Sequence, residues 1–160
     1  MRKFYRLSGL VIALCWNASA GAGDIQIEAA WARATAPGQG AASVDLTITS
    51  KQAATLTGVA SNVAQSVEMH SMTYQDGVMK MRRVKAIALP AGKAMNLGES
   101  GYHLMLVGLK APFAAGESIP LTLAIKLPGK RMVQVEIKVE VKPLTTLKPA
   151  ARTDEHEHQH

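Results

Sequence analysis

The chain has 160 residues, 18 Lys and Arg against 12 Asp and Glu, eight methionines, five histidines and a single cysteine. Its length favours one domain at the usual ~100–200 residues, and 19% charged against 48% hydrophobic is neither a disordered nor a membrane composition. Beyond residue 20 there is no cysteine, which excludes disulfides, iron–sulfur clusters, thiolate zinc sites and cysteine catalysis from that body.

Residues 1–20 read as an export signal. Arg2, Lys3 and Arg6 form a positive start, residues 7–16 are mostly apolar but too short to span a bilayer at roughly 20 residues per helix, and Ala18, Ala20 and Ala22 supply small residues for cleavage. Cleavage is expected after Ala20 or Ala22. The alternative is a lipoprotein signal acylated at Cys15, against which stand the bulky Leu14 before it and Trp16 after it. Without residues 1–20 the chain holds 15 basic and 12 acidic groups, and it has seven methionines but only Trp31, Tyr74, Tyr102 and Phe113 as aromatics. An exported protein in the periplasm is the expectation, with no later segment apolar enough to span a membrane. Many thioethers and no thiol are coherent with an oxidising compartment.

From residue 25 onward, short β-rich runs alternate with Gly, Pro, Asn and Asp. Strands are predicted over residues 25–29, 42–49, 53–60 and 66–73. Asp76-Gly77 is a hairpin signal, because Gly, and Asp more easily than most residues, tolerates positive φ. Further runs follow over 78–84, 87–89, 94–97, 102–107, 118–127 and 132–141. No helical period holds for three turns. The pattern predicts an all-β sandwich or barrel of about eight or nine short strands across residues 21–147, followed by a flexible, His-containing tail over 148–160.

Both histidines outside the tail lie beside methionine. A two-residue turn at 76–77 pairs Gln75 with Val78, so His70 is predicted to face Arg83 and Met72 to face Met81. Met81 is then the diagonal neighbour of His70 on one face, about 7–8 Å away. His103 and Met105 are two apart and share a face of their strand, while Tyr102, Leu104 and Leu106 turn the other way. Two imidazoles and two thioethers from two regions of sheet can converge.

Thioether is neutral and soft, which suits Cu(I) and is poor for Zn(II), Mg(II) or Ca(II). A blue-copper electron-transfer centre needs a thiolate that this body lacks. Against a metal site stands the ordinary role of methionine as core filler, and of single histidines as surface or hydrogen-bonded residues. On the residues alone both readings stand.

The spacing is also familiar. His70 and Met81 enclose ten residues, Met81 and His103 enclose twenty-one, and Met105 completes a His-x-Met. This resembles the PCu(A)C family of periplasmic copper chaperones. Asp76 to Arg82, Leu89-Pro90-Ala91-Gly92, Gly101 to Leu106, Gly108-Leu109 and Ile119 to Leu123 extend the resemblance over residues 25–142. The resemblance implies a cupredoxin-like Greek-key β-barrel that holds Cu(I) in a solvent-accessible site. By position, His70, Met81, His103 and Met105 carry over as ligands. Met72 and Met79 fall on the same face and are candidate accessory ligands. The resemblance further implies delivery of copper to the copper centres of cytochrome c oxidase, alone or with a Sco-type thiol protein. One departure is local: Glu99-Ser100 separates Gly98 from Gly101 where the family has adjacent glycines.

In the tail, His156, His158 and His160 alternate among carboxylates and either chelate Cu(II), Ni(II) or Zn(II) or form a solvated terminus without a metal role. Lys80, Arg82, Arg83 and Lys85 form a basic cluster, either a solvated edge or a docking surface for an acidic partner. No aromatic interleaving suggests nucleic acid. No Ser/His/Asp or paired-carboxylate arrangement suggests an enzyme. The expectation is a monomeric copper carrier. The alternatives are a copper-buffering or resistance protein without a dedicated client and a structural β-domain without metal.

Overall fold

The computed structural model describes residues 23–144. The signal segment with Cys15 and the three tail histidines lie outside the described residues. Ten strands run in chain order: β1 Ile25–Arg33, β2 Ala41–Ser50, β3 Ala54–Ala60, β4 Ala64–Gln75, β5 Val78–Val84, β6 Ile87–Leu89, β7 Ala94–Asn96, β8 Tyr102–Leu109, β9 Ser118–Lys126 and β10 Met132–Lys142. One 3-10 turn, Pro128–Lys130, joins the last two. The all-β prediction stands, with ten strands where eight or nine were expected. No helix among the described residues is long and apolar enough to cross a membrane.

The strands form one sheet in the order β5-β4-β8-β2-β1-β10-β9-β3-β6, with β7 added to β2. All neighbours are antiparallel except β1 and β10, which run parallel. The path is open, ending in β5 and β6, yet β3 comes alongside β4, so the sheet curls around one core. Period-2 alternation builds that core: Val44, Leu46 and Ile48 of β2, Leu104 and Leu106 of β8, and Leu121, Leu123 and Ile125 of β9 are all buried. Their sequence neighbours turn outward.

Two departures from regular strand geometry shape the outer face. In β1 the register with β2 shifts between Glu28 and Trp31, where Ala29 takes φ 50. Such a bulge inverts the alternation. Ile25 is buried before it and Ala32 after it, so Trp31 faces outward. The sequence reading ends this strand at residue 29, since an extra residue in a bulge leaves no signal in an apolar run. The second departure is β5, in which every residue but Val84 is exposed. This strand covers no core and stands as an arm at the sheet's edge.

Candidate metal centre

The β4–β5 hairpin sets the first half of the site. Asp76 and Gly77 take φ 53 and φ 75, the conformation of a two-residue type I′ turn. Pairing then runs from Gln75–Val78 through Met72–Met81 to His70–Arg83 and Met69–Val84. This is the register the turn predicts. Pairs alternate between hydrogen-bonded and non-hydrogen-bonded along such a ladder, starting hydrogen-bonded at the turn. Met72–Met81 and His70–Arg83 are therefore close pairs, with Cα atoms about 4.5 Å apart.

The second half comes from β8, on the other side of β4. Here His70 lies directly opposite His103, and Glu68 opposite Met105. The Met72 N–H donates to the Gly101 carbonyl at 2.7 Å, so His70–His103, two residues on, is also a hydrogen-bonded pair, with Cα atoms ~5.5 Å apart. Gly101 makes this start of β8 possible: its φ is +77, and a Cβ there would stand 3.2 Å from the Met72 carbonyl oxygen. The loop before it is tied down by Ser100 N–H to Asn96 O, Tyr102 N–H to Leu97 O, and Glu99 N–H to Asn96 Oδ1. Glu99-Ser100 thus sits in an ordered turn, and the departure from the expected glycine pair leaves His103 in register.

The two imidazoles are half-buried and unequally partnered. His70 Nε2 lies 2.8 Å from Glu68 Oε2, and the Arg83 guanidinium donates to Glu68 Oε1 at 3.1 Å. The hydrogen bond from His70, assisted by the charge of Arg83, holds the Glu68 carboxyl below the ordinary carboxylate range. His70 Nδ1 and His103 Nε2 are buried and have no hydrogen-bond partner. An unsatisfied buried polar atom costs ~1–3 kcal/mol, and these two occur on residues facing each other across adjacent strands. Each is a nitrogen that could serve as a metal donor. Among the described residues no three His, Cys, Asp or Glu side chains gather as a metal site, so any further donor beside these imidazoles would be of another kind.

Thioethers stand on the same face. Met81 and Met105 flank the histidine pair on opposite sides. Met81 lies one row toward the hairpin tip on β5, and Met105 one row the other way on β8, beside Glu68. Met81 is 49% exposed and Met105 half-buried. Two same-face rows separate these methionines along the strands, and Met81 is on the exposed arm. Met72 faces Met81 and is half-buried; Met79 pairs with Tyr74 at the tip, and both are exposed. Met69, on the inner face of β4, is only 6% exposed and belongs to the core. Met95 packs against the core and Met132 is exposed at the start of β10.

Three neighbours of the site were not singled out in the sequence. Glu68 was readable, being two residues from His70 on a strand and therefore on its face. Asp45 and Trp31 were not, because they arrive through β2 and the β1 bulge. With Arg33, Ser43, Val44 and His103 they line a cavity of about 290 Å³. Lys142 and Arg33 stack on Trp31, with centroid distances of 4.8 and 5.9 Å. The basic cluster also divides. Arg83 is on the site face holding Glu68, whereas Lys80 and Arg82 point to the opposite face of the arm.

A family profile described as LpqE-like, a lipoprotein family, matches residues 25–149. The chain belongs to that family. A protein of Leifsonia xyli subsp. xyli (strain CTCB07) named as a lipoprotein, Lxx21020, is 34% identical over 118 residues, covering 73% of this chain and 71% of its own. Among solved structures, the copper-bound PCuAC domain of PmoF2 is 26% identical with a TM-score of 0.55, covering 74% of this chain and 94% of that domain. The Cu(I) form of DR1885 from Deinococcus radiodurans is 30% identical with a TM-score of 0.53, covering 71% of this chain and 74% of that one. The apo PCuAC domain of PmoF1, at 20% identity and a TM-score of 0.56, shares the fold. These are the domains that the His-Met spacing resembles, and the cupredoxin-like all-β architecture is theirs.

Proposed function

We propose that this protein is an exported copper carrier, not an enzyme, that binds Cu(I) through His70, His103, Met81 and Met105 and passes it to a recipient protein. The observation that carries the reading is the pair of unpartnered buried imidazole nitrogens on opposed strands, flanked by thioethers at an exposed sheet edge. The copper-bound form of PmoF2 and the Cu(I) form of DR1885, similar in fold and sequence, support it.

The donor set suits transfer. Imidazole and thioether are neutral, so the site gains only the charge of the ion, and soft sulfur favours Cu(I) over the commoner hard cations. Met81 stands on an arm open to solvent, so an incoming thiolate or thioether can displace it before the histidines let go. Met72, facing Met81, is the better placed accessory donor. Met79, at the tip, is placed to meet a partner first.

The recipient in this reading is the copper centre of cytochrome c oxidase, with a Sco-type thiol protein as co-donor, and the compartment is the periplasm. In the tail, His156, His158 and His160 capture Cu(II) while the core holds Cu(I). Deletion of residues 153–160 should then lower the Cu(II) stoichiometry and leave Cu(I) binding intact; unchanged Cu(II) stoichiometry refutes the tail's role. The lipoprotein names of the family and of Lxx21020 favour a second reading of the leader, with Cys15 acylated. The mass of the exported protein separates cleavage at 20 or 22 from acylation at Cys15.

The deciding experiment is a transfer assay: Cu(I)-loaded protein is mixed with the apo copper domain of the oxidase and the metal is followed. Transfer supports the carrier. Tight Cu(I) binding without transfer, alone or with a Sco-type protein, leaves copper buffering as the function.

A further inference from the structure

We infer that Glu68, held by Arg83, is a positioning residue that selects the tautomer of His70 and thereby fixes its Nδ1 as the metal-binding nitrogen. The inference rests on the metal reading above and adds which atom binds and what holds it there. A neutral imidazole has one N–H donor and one lone pair. A carboxylate accepts and cannot donate, so the nitrogen facing Glu68 Oε2 at 2.8 Å must be the one that carries the proton. That nitrogen is Nε2. The lone pair is left on Nδ1, which is buried and unpartnered.

The carboxylate is itself fixed. Its second oxygen accepts from the Arg83 guanidinium at 3.1 Å, so the carboxylate is held at both oxygens in the orientation that faces His70. Strand geometry supplies all three residues. Glu68 and His70 share a face of β4 at a spacing of two, and Arg83 lies directly across the ladder from His70 on β5. The three form a chain from arm to imidazole: Arg83 to Glu68 to His70. Ligating histidines commonly donate their second N–H to a carboxylate, which orients the ring and raises the basicity of the ligating nitrogen; loss of such a partner typically costs 10–100-fold in metal affinity. His103 has no such partner among the described residues; its unpartnered buried nitrogen is Nε2. His70 therefore binds through Nδ1, and the His103 nitrogen placed for the same role is Nε2, whose tautomer no carboxylate fixes.

The test begins without metal. In ¹⁵N-edited NMR of the apo protein at neutral pH, the His70 ring should show the Nε2–H tautomer. Glu68→Ala should collapse this to a mixture, and Glu68→Gln, whose one oxygen accepts from Arg83 and whose amide NH2 then faces His70 Nε2, should favour the Nδ1–H tautomer. Cu(I) affinity, measured against a competing chelator, should fall about 10–100-fold in both Glu68→Ala and Glu68→Gln. Amide spectra of each variant check that the sheet is intact. An Nδ1–H tautomer in the parent overturns the inference, as does a tautomer indifferent to Glu68→Ala. An affinity unchanged in Glu68→Ala, with the tautomer shifted, removes the positioning role. If the parent binds no Cu(I) while the tautomer behaves as stated, it is the copper reading that fails, and the two failures are thus distinguishable.

Discussion

Replacing His103 with leucine should remove metal binding while leaving the apo domain as stable as before or more so. His103 Nε2 is buried without a partner, while Leu104 and Leu106 on the other face of β8 carry that strand's share of the core. Removing an unsatisfied buried nitrogen recovers ~1–3 kcal/mol. The ring is half-buried, so the lower figure applies, ~1 kcal/mol, which is about 4 °C in Tm for a domain of this size. The parent behaves oppositely on loading. With free Cu(I) at about 1,000 times its dissociation constant, binding adds ~4 kcal/mol, or roughly 15 °C. Calorimetry under anaerobic conditions, with Cu(I) buffered by a chelator, reads both numbers. The variant should melt at or slightly above the apo parent and show no Cu(I)-dependent rise. A variant melting well below the apo parent would mean that His103 is a structural residue. A variant keeping the Cu(I)-dependent rise would mean that the metal lies elsewhere. Either result refutes the reasoning.

Other expectations follow from the same geometry. Met81→Leu, at a half-exposed position, should change stability by less than about 0.5 kcal/mol yet lower Cu(I) affinity by an order of magnitude or more in chelator competition; Met69→Leu, in the core, should leave affinity alone. If Met81 leans inward from the edge to bind, Cu(I) should slow amide hydrogen exchange along β5 while exchange in β9 and β10 stays unchanged. Glu68's carboxyl is held low by His70 and Arg83, so the stabilisation it contributes is present above the unfolded carboxylate pKa and is lost as pH falls through the lower native value. Acid titration by circular dichroism should accordingly show a shallower loss of stability below about pH 4 in Glu68→Gln than in the parent. If the basic outer face of the arm guides an acidic recipient, Lys80→Glu combined with Arg82→Glu should slow transfer and weaken its salt dependence, with Cu(I) affinity unchanged.

Much of the site was legible because hairpin arithmetic is local. Asp76-Gly77 specifies a two-residue turn, and the turn alone sets which residues of β4 and β5 oppose each other as far back as His70 and Arg83. The spacing of His103 and Met105 likewise places them on one face without any knowledge of the fold. The direct opposition of His70 and His103 was less accessible. It depends on pairing between β4 and β8, which are separated by three strands in the chain, and no local signal sets that register. Nor did the sequence show that Met81 and Met105 flank the imidazoles from opposite sides, since this follows from the same long-range pairing. Trp31 stayed hidden behind the β1 bulge at Ala29, an irregularity in a run with no glycine to mark it, and Asp45 behind the long-range pairing of β2 with β8. Glu68 was within reach of simple alternation, but which of its neighbours it would bond depends on the side chains of two strands at once.

X-ray absorption spectroscopy of the Cu(I)-loaded protein tests the central claim most directly, because it reads the donor atoms themselves. The parent should show nitrogen and sulfur scatterers together, from two imidazoles and two thioethers. The sulfur contribution should fall in Met81→Leu and again in the double variant with Met105→Leu. A first shell of nitrogen and oxygen alone, or a sulfur contribution indifferent to both substitutions, would contradict the assignment of His70, His103, Met81 and Met105 as the copper site.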